Sequence, residues 1–236
     1  MMTQNSVKII RLYDGTWAFD EPGVRFFLLT GSERALLIDS GMETHNALEL
    51  AKELTDLPIS LLNTHADGDH LGSCHEFPCF YMHLSEASNY FHGREPRGGT
   101  ILPVADGDIL DLGGRPIRVI AIPGHTPGSI ALLDQNSRFL FSGDTVQAGD
   151  IFMFGVQREI HAFLLSLKRL NGMTDTFDRI IPSHAEMPLS PSVIGDLITG
   201  TEQVLSGALP YEELSIFGNP VRKYDLGCAR LLCDAE

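Results

Sequence analysis

The chain has 236 residues, 43% of them hydrophobic, 20% charged and 8% aromatic. This is too apolar for a disordered polymer and enough for a packed core without disulfide staples. Seventeen Lys and Arg against thirty-one Asp and Glu leave a formal charge of −14, and a surface that acidic repels phosphate, which argues against a nucleic-acid partner.

No window approaches the ~20 apolar residues that cross a bilayer, and the opening MMTQNSVKII has no apolar signal core. The expectation is a cytoplasmic protein with no membrane partner. Cys74, Cys79, Cys228 and Cys233 form two pairs with four residues between, a spacing unlike a metal knuckle, so they are expected as reduced core thiols.

In chain order, residues 7–11, 24–30 and 34–38 are apolar runs, the last two joined by Gly31-Ser32-Glu33, and read as antiparallel strands. Residues 45–54 carry apolar side chains at helical spacing, and 59–62 is a short buried strand that runs straight into a polar loop. Residues 79–82 read as strand and 85–91 as helix, followed by the Gly- and Pro-rich stretch 92–99 as a surface loop. Four more strands are expected at 106–112, 117–122, 130–133 and 138–141, then a helix at 160–170 with Gly172 beyond it. A last short strand at 180–181 and a long helix at 193–205 complete the pattern. No linker or composition break divides the chain, so one domain over 1–236 is expected. The strand endings Ile38-Asp39-Ser40-Gly41 and Phe141-Ser142-Gly143-Asp144 echo one another faintly.

The densest chemistry lies at Thr64-His65-Ala66-Asp67-Gly68-Asp69-His70, where four metal-capable side chains fall within six positions. Asp67 and Asp69 would repel each other at close range unless a cation sat among them. Ala66 and Gly68 let the backbone turn tightly enough to aim several side chains at one point. In isolation the segment could also be a helix N-terminus capped by Asp67 or Asp69. Three later segments add His125 in a Gly- and Pro-constrained loop, Asp144 at the end of a strand and His184 at the end of another. Each alone would be an ordinary turn or capping residue.

Taken in order, His65, Asp67, Asp69 and His70, then His125, Asp144 and His184 resemble the metallo-β-lactamase superfamily. The strand ending at Ile38-Asp39-Ser40-Gly41 and the run Pro123-Gly124-His125-Thr126-Pro127-Gly128 belong to the same likeness. The resemblance implies an α/β fold, a four-layer αββα sandwich, with two divalent metal ions at its edge. It also implies that His65, Asp67 and His125 hold the first ion, that Asp69, His70 and His184 hold the second, and that Asp144 bridges them. The family's usual signature is His-X-His-X-Asp-His, and here Asp67 stands at the second His. A carboxylate there makes the first site harder and shifts preference towards manganese or iron, but zinc also accepts carboxylates and stays the first expectation.

The implied activity is hydrolysis of a small-molecule ester, thioester, lactone or amide by a metal-bridging hydroxide. Asp69 and Asp144 are then the catalytic carboxylates, and no Ser or Cys nucleophile is needed. A carboxylate at position 67 also resembles the flavodiiron branch, which keeps a diiron redox protein as an alternative, although the chain has no flavodoxin-like segment after His184. A metal-holding sensor domain is the third reading.

Around the site, Phe152, Met153 and Phe154 either floor an apolar pocket or pack in the core. Arg94 or Arg97 in the loop 92–100 could meet an acidic substrate. Trp17 and Phe19, or Phe26 and Phe27, either border the opening or simply pack. His45, His75, His83, His92 and His161 are expected to be structural, with His75 the one nearest the motif. The tail 210–236 is expected to pack on a sheet edge or against a second copy of the chain, which would make a homodimer.

Overall fold

The structure is a computed structural model that describes residues 7–92 and 99–235. The chain divides into two compact units, one of Met1–Ile120 with Leu132–Ser137, the other of Ala121–Ala131 with Arg138–Glu236.

The first unit is built on β1 (Lys8–Tyr13), β2 (Thr16–Glu21), β3 (Val24–Thr30), β4 (Ala35–Ile38), helix α1 (Ala47–Lys52), β5 (Ile59–Leu62), β6 (Cys79–His83), helix α2 (Ala87–Phe91) and β7 (Thr100–Val104). Its seven-stranded sheet keeps chain order from β1 to β7. The first four strands form an antiparallel meander and β4 through β7 run parallel. β3 and β4 read as continuous apolar runs because every residue of β4 and most of β3 is buried, as in strands covered on both faces.

Phe19, Phe26, Leu28, Leu37, Leu61 and Phe80 form the centre of the core, with Trp17 and Leu48 packed at its margin. Phe19 and Phe26 stack with ring centroids 4.6 Å apart. Phe19 and Phe26 are therefore core residues, whereas Trp17 is only partly buried. The antiparallel pair β8 (Ile109–Asp111) and β9 (Pro116–Ala121) follows, and the chain leaves the first unit after Ile120.

Three expectations change here. β2 and β7 are strands that the apolar pattern did not mark. The run 106–112 is strand only over Ile109–Asp111, because Asp106 and Gly107 form the turn that returns Gly107 N–H to the Val119 carbonyl. The helix expected at 45–54 shortens to Ala47–Lys52.

In β10 (Ile130–Asp134) the chain passes between the units. The second unit continues with β11 (Phe139–Gly143), β12 (Asp150–Met153), helix α3 (Ile160–Asn171), β13 (Arg179–Pro182), helix α4 (Val193–Leu205), β14 (Tyr211–Ile216), β15 (Asn219–Asp225) and β16 (Arg230–Asp234). β11 pairs in parallel with β13, which brings two strand ends bearing site residues side by side. In α3, Phe163, Leu167 and Leu170 are buried at helical spacing, and in α4 so are Ile194, Leu197 and Thr201.

The tail is not a passive strap on a sheet edge. It supplies three strands of a four-stranded sheet, ordered β12-β16-β15-β14, with β12 parallel to β16. The segment around Phe152 is thus a strand of that sheet. Of the four cysteines, all are reduced, but only Cys74 is buried; Cys79 is exposed and Cys228 and Cys233 are half-buried. The expectation of core thiols holds for Cys74 alone. Among the described residues no helix is long and apolar enough to cross a membrane.

Candidate metal centre

In the first unit the site begins one residue beyond β4. Asp39 is fully buried and adopts φ 60°, a left-handed conformation that Asp tolerates better than most residues. Its Oδ1 accepts the Thr64 N–H at 2.7 Å and its Oδ2 accepts the Thr64 hydroxyl at 2.9 Å. The same Oδ2 lies 2.9 Å from His70 Nδ1. That contact places the ring proton on Nδ1 and leaves Nε2 as the electron-pair donor, the arrangement of a metal-binding imidazole backed by a carboxylate.

β5 delivers the loop that carries the other donors. His65 Nδ1 is 3.0 Å from the Thr64 hydroxyl, and its Nε2 is 3.6 Å from Asp67 Oδ2. His70 Nε2 is 3.5 Å from Asp69 Oδ2. The two imidazole rings lie with centroids 4.1 Å apart. Three contacts hold the loop from outside: Glu86 accepts the Ala66 N–H at 2.8 Å, Asn89 donates to Asp67 Oδ1 at 3.1 Å, and Asn63 donates to the His70 carbonyl at 2.9 Å. Asp67 stands before a single turn of 3-10 helix, Gly68–His70, but makes no side-chain cap bond. The capping alternative therefore has no support here.

The second unit carries His125, Asp144 and His184. The loop bearing His125 is pressed against α3, since a Cβ on Gly124 would come within 2.3 Å of Phe163 Cα, and Gly124 has φ 138°. Only glycine fits. His125 is buried; its Nδ1 faces the Phe152 carbonyl at 2.9 Å, and Arg158 donates to the His125 carbonyl. Asp144 follows β11 and His184 follows β13. Asp144 Oδ2 lies between two imidazoles, 3.6 Å from His125 Nε2 and 3.1 Å from His184 Nε2.

These spacings fit a metal. Two ligands on one tetrahedral ion with bonds of about 2.1 Å lie roughly 3.4 Å apart. The four His–Asp separations run from 3.1 to 3.6 Å, and three of them are too long for a good hydrogen bond. Imidazole and carboxylate together suit zinc, iron and manganese.

The remaining histidines have other surroundings. His45 faces the Gly72 carbonyl and an edge of His75, His83 accepts the Ser85 N–H, and His161 pairs with Glu159. Arg94 and Arg97 lie outside the described residues. What the residue pattern did not mark is the supporting shell: the role of Asp39 toward His70, Glu86, Asn89, the Phe152 carbonyl and Arg158. Asp39 alone had a signal, its place at a strand end.

Comparison with known proteins adds the family. The model of the metallo-beta-lactamase superfamily matches residues 21–186. Among curated proteins, acyl-coenzyme A thioesterase MBLAC2 of Gallus gallus is 28% identical over 209 residues, covering 72% of this chain and 76% of that protein. A hydroxyacylglutathione hydrolase of Gloeobacter violaceus is 32% identical over 155 residues, covering 64% and 61%. Among solved structures, a metallo-beta-lactamase from Pontibacter korlensis superposes with TM-score 0.69 at 17% identity, covering 84% of this chain and 99% of that one. A metallo-beta-lactamase family protein from Thermus thermophilus gives TM-score 0.67 at 22% identity, covering 84% and 83%. At those identities the structural likeness shows the fold, here the mixed α/β fold of the metallo-β-lactamases. Because the family model spans most of the chain and all seven site positions, the chain belongs to the metallo-β-lactamase superfamily and is a metal-dependent hydrolase.

Proposed function

We propose that the chain hydrolyses a thioester of a small carrier molecule at a dinuclear centre, with His65, Asp67 and His125 at one ion, Asp69, His70 and His184 at the other, and Asp144 shared. The observation that carries this reading is the repeated His–Asp spacing of 3.1 to 3.6 Å at all four pairs. When bound, the two ions supply Lewis acidity toward the carbonyl and toward water.

The chain's own residues do the rest. Asp39 holds the His70 proton on Nδ1, the Phe152 carbonyl does the same for His125, and Asn89 turns one oxygen of Asp67 away so that the other stays beside His65. Asp69 is the carboxylate that would take the proton released by the attacking water and hand it to the departing thiolate.

Thioesters are favoured over amides on physical grounds. Three carboxylates against two dications leave a site less positive than one with two, so water is less acidified. An acyl group with a good leaving group suits such a site. Two relatives that are thioesterases by name, the one above and an atrochrysone carboxyl ACP thioesterase of Claviceps purpurea, 28% identical over 144 residues, support the same choice. Zinc is the first expectation, with manganese or iron admitted by Asp67.

The test is thiol release from acetyl- and octanoyl-coenzyme A beside p-nitrophenyl esters, lactones and β-lactams, with bound metal measured on protein purified without added metal. Metal-dependent thioester cleavage, lost on chelation and restored by zinc or manganese, is the expected result. Equal activity after metal stripping, or turnover of lactones or β-lactams with inert thioesters, overturns it; two bound irons with a near-ultraviolet band would turn the reading to redox.

A further inference from the structure

The second unit exposes an apolar surface beside a site histidine. β14 and β15 form a hairpin with paired Ile216 and Asn219, so its turn is Phe217-Gly218. Both turn residues have positive φ, 51° and 82°, the geometry that favours Asn-Gly. A bulky aromatic residue is strained there. Phe217 is also 87% exposed, so neither backbone preference nor burial in the fold accounts for it. Its ring lies 6.4 Å from that of Phe152, which in turn is 5.3 Å from Phe154. Val156, 88% exposed, follows in the loop after β12.

The patch is joined to the site through the backbone. The Phe152 carbonyl accepts from His125 Nδ1, Arg158 at the end of the same segment donates to the His125 carbonyl, and Asp234 of β16 clamps Gly155 N–H at 3.0 Å. The hairpin also lies outside residues 21–186, the part shared with the family model. The hairpin meets Phe152 by its exposed aromatic turn, and Phe152 meets His125 by its carbonyl; surface loops next to a site residue are where substrate selection is built on a shared fold.

We infer that Phe152 and Phe217 form the wall that holds the apolar acyl part of the substrate, so that medium and long acyl groups are preferred over acetyl, with Phe217 the residue that sets the preference. The inference rests on the thioesterase reading above. A chain of about eight carbons covers such a wall, whereas an acetyl group reaches little of it; at roughly 25 cal/mol per Å², contact with one face of a phenyl ring corresponds to about a tenfold gain in affinity.

The test uses the metal-loaded full chain and the variant Phe217→Asn, which suits the turn and is expected to melt at the same temperature as the parent or higher. Two measurements are made: calorimetric binding of octanoate against acetate, and kcat/KM for octanoyl- against acetyl-coenzyme A. The expected result is that the parent prefers the octanoyl member in both, and that the variant lowers the octanoyl-to-acetyl ratio about tenfold through KM. No octanoate preference in the parent, an unchanged ratio in the variant, or a change of oligomeric state on size exclusion without a change in ratio each overturns the inference. Hydrolysis of acetyl-coenzyme A with no octanoate preference leaves the thioesterase reading standing; octanoate binding with both thioesters inert overturns that reading instead.

Discussion

Asp39 and His70, 31 residues apart, meet through Oδ2 and Nδ1 at 2.9 Å with both side chains fully buried. The carboxylate also takes both donors of Thr64, so one residue just beyond β4 orients the histidine and seats the loop that follows β5. Replacing Asp39 with Asn keeps the shape and the tolerated left-handed backbone but removes the charge behind the imidazole. Metal affinity is expected to fall about 10- to 100-fold, read by competition with a chromogenic chelator. Asp39→Ala leaves buried donors unmet and is expected to cost about 3 kcal/mol or more in denaturant unfolding.

Asp67 is the position where the chain departs from the usual family motif, and Asn89 is its outer partner. Asp67→His is expected to preserve the fold and shift bound metal toward zinc, measured by elemental analysis on protein grown in mixed zinc and manganese. Asn89→Ala is expected to weaken metal binding more mildly while leaving the metal preference unchanged. If both variants hold the parent's metal with the parent's affinity, Asp67 is not a ligand.

Two glycines make opposite predictions. Gly124→Ala forces a methyl into the backbone of α3 at Phe163, beside His125, and is expected to lose about 2–4 kcal/mol together with metal content. Gly195 lies within α4 with nothing near its missing side chain. Gly195→Ala is therefore expected to stabilise by roughly 0.5–1 kcal/mol. Chemical denaturation of the two variants checks both signs.

Glu159 links α3 to the His125 loop. Its backbone N–H donates to the Gly124 carbonyl, and its carboxylate accepts the N–H groups of His161 and Ala162 at the start of α3. Burial pushes the carboxyl up, but the Ala162 N–H and the His161 ring and N–H outweigh it and hold the group below the ordinary glutamate range. A lowered folded value means that the cap's charge stabilises the protein above the unfolded carboxyl range and stops doing so as pH falls through the folded value. Glu159→Ala is expected to cost about 1 kcal/mol at pH 7, and the gap to the parent should close as pH falls through and below the ordinary glutamate range. A gap that stays constant with pH would show that the charge plays no part.

The residues that determine the chemistry were legible in the chain because they are local or sit at strand ends: four donors within 65–70, and His125, Asp144 and His184 each directly after an apolar run. β3, β4, β5, α3 and α4 were legible for the same reason, since burial imprints a period on the residues that are buried. The strands of the tail left a weaker imprint, because β14 is mostly exposed and alternates little. Only the tertiary structure assigned the partners of the donors. Asp39 reaches His70 across 31 residues and a backbone carbonyl at Phe152 orients His125 across 27. A main-chain oxygen has no residue type to betray it, and a long-range contact is set by how strands pair rather than by the composition of either segment.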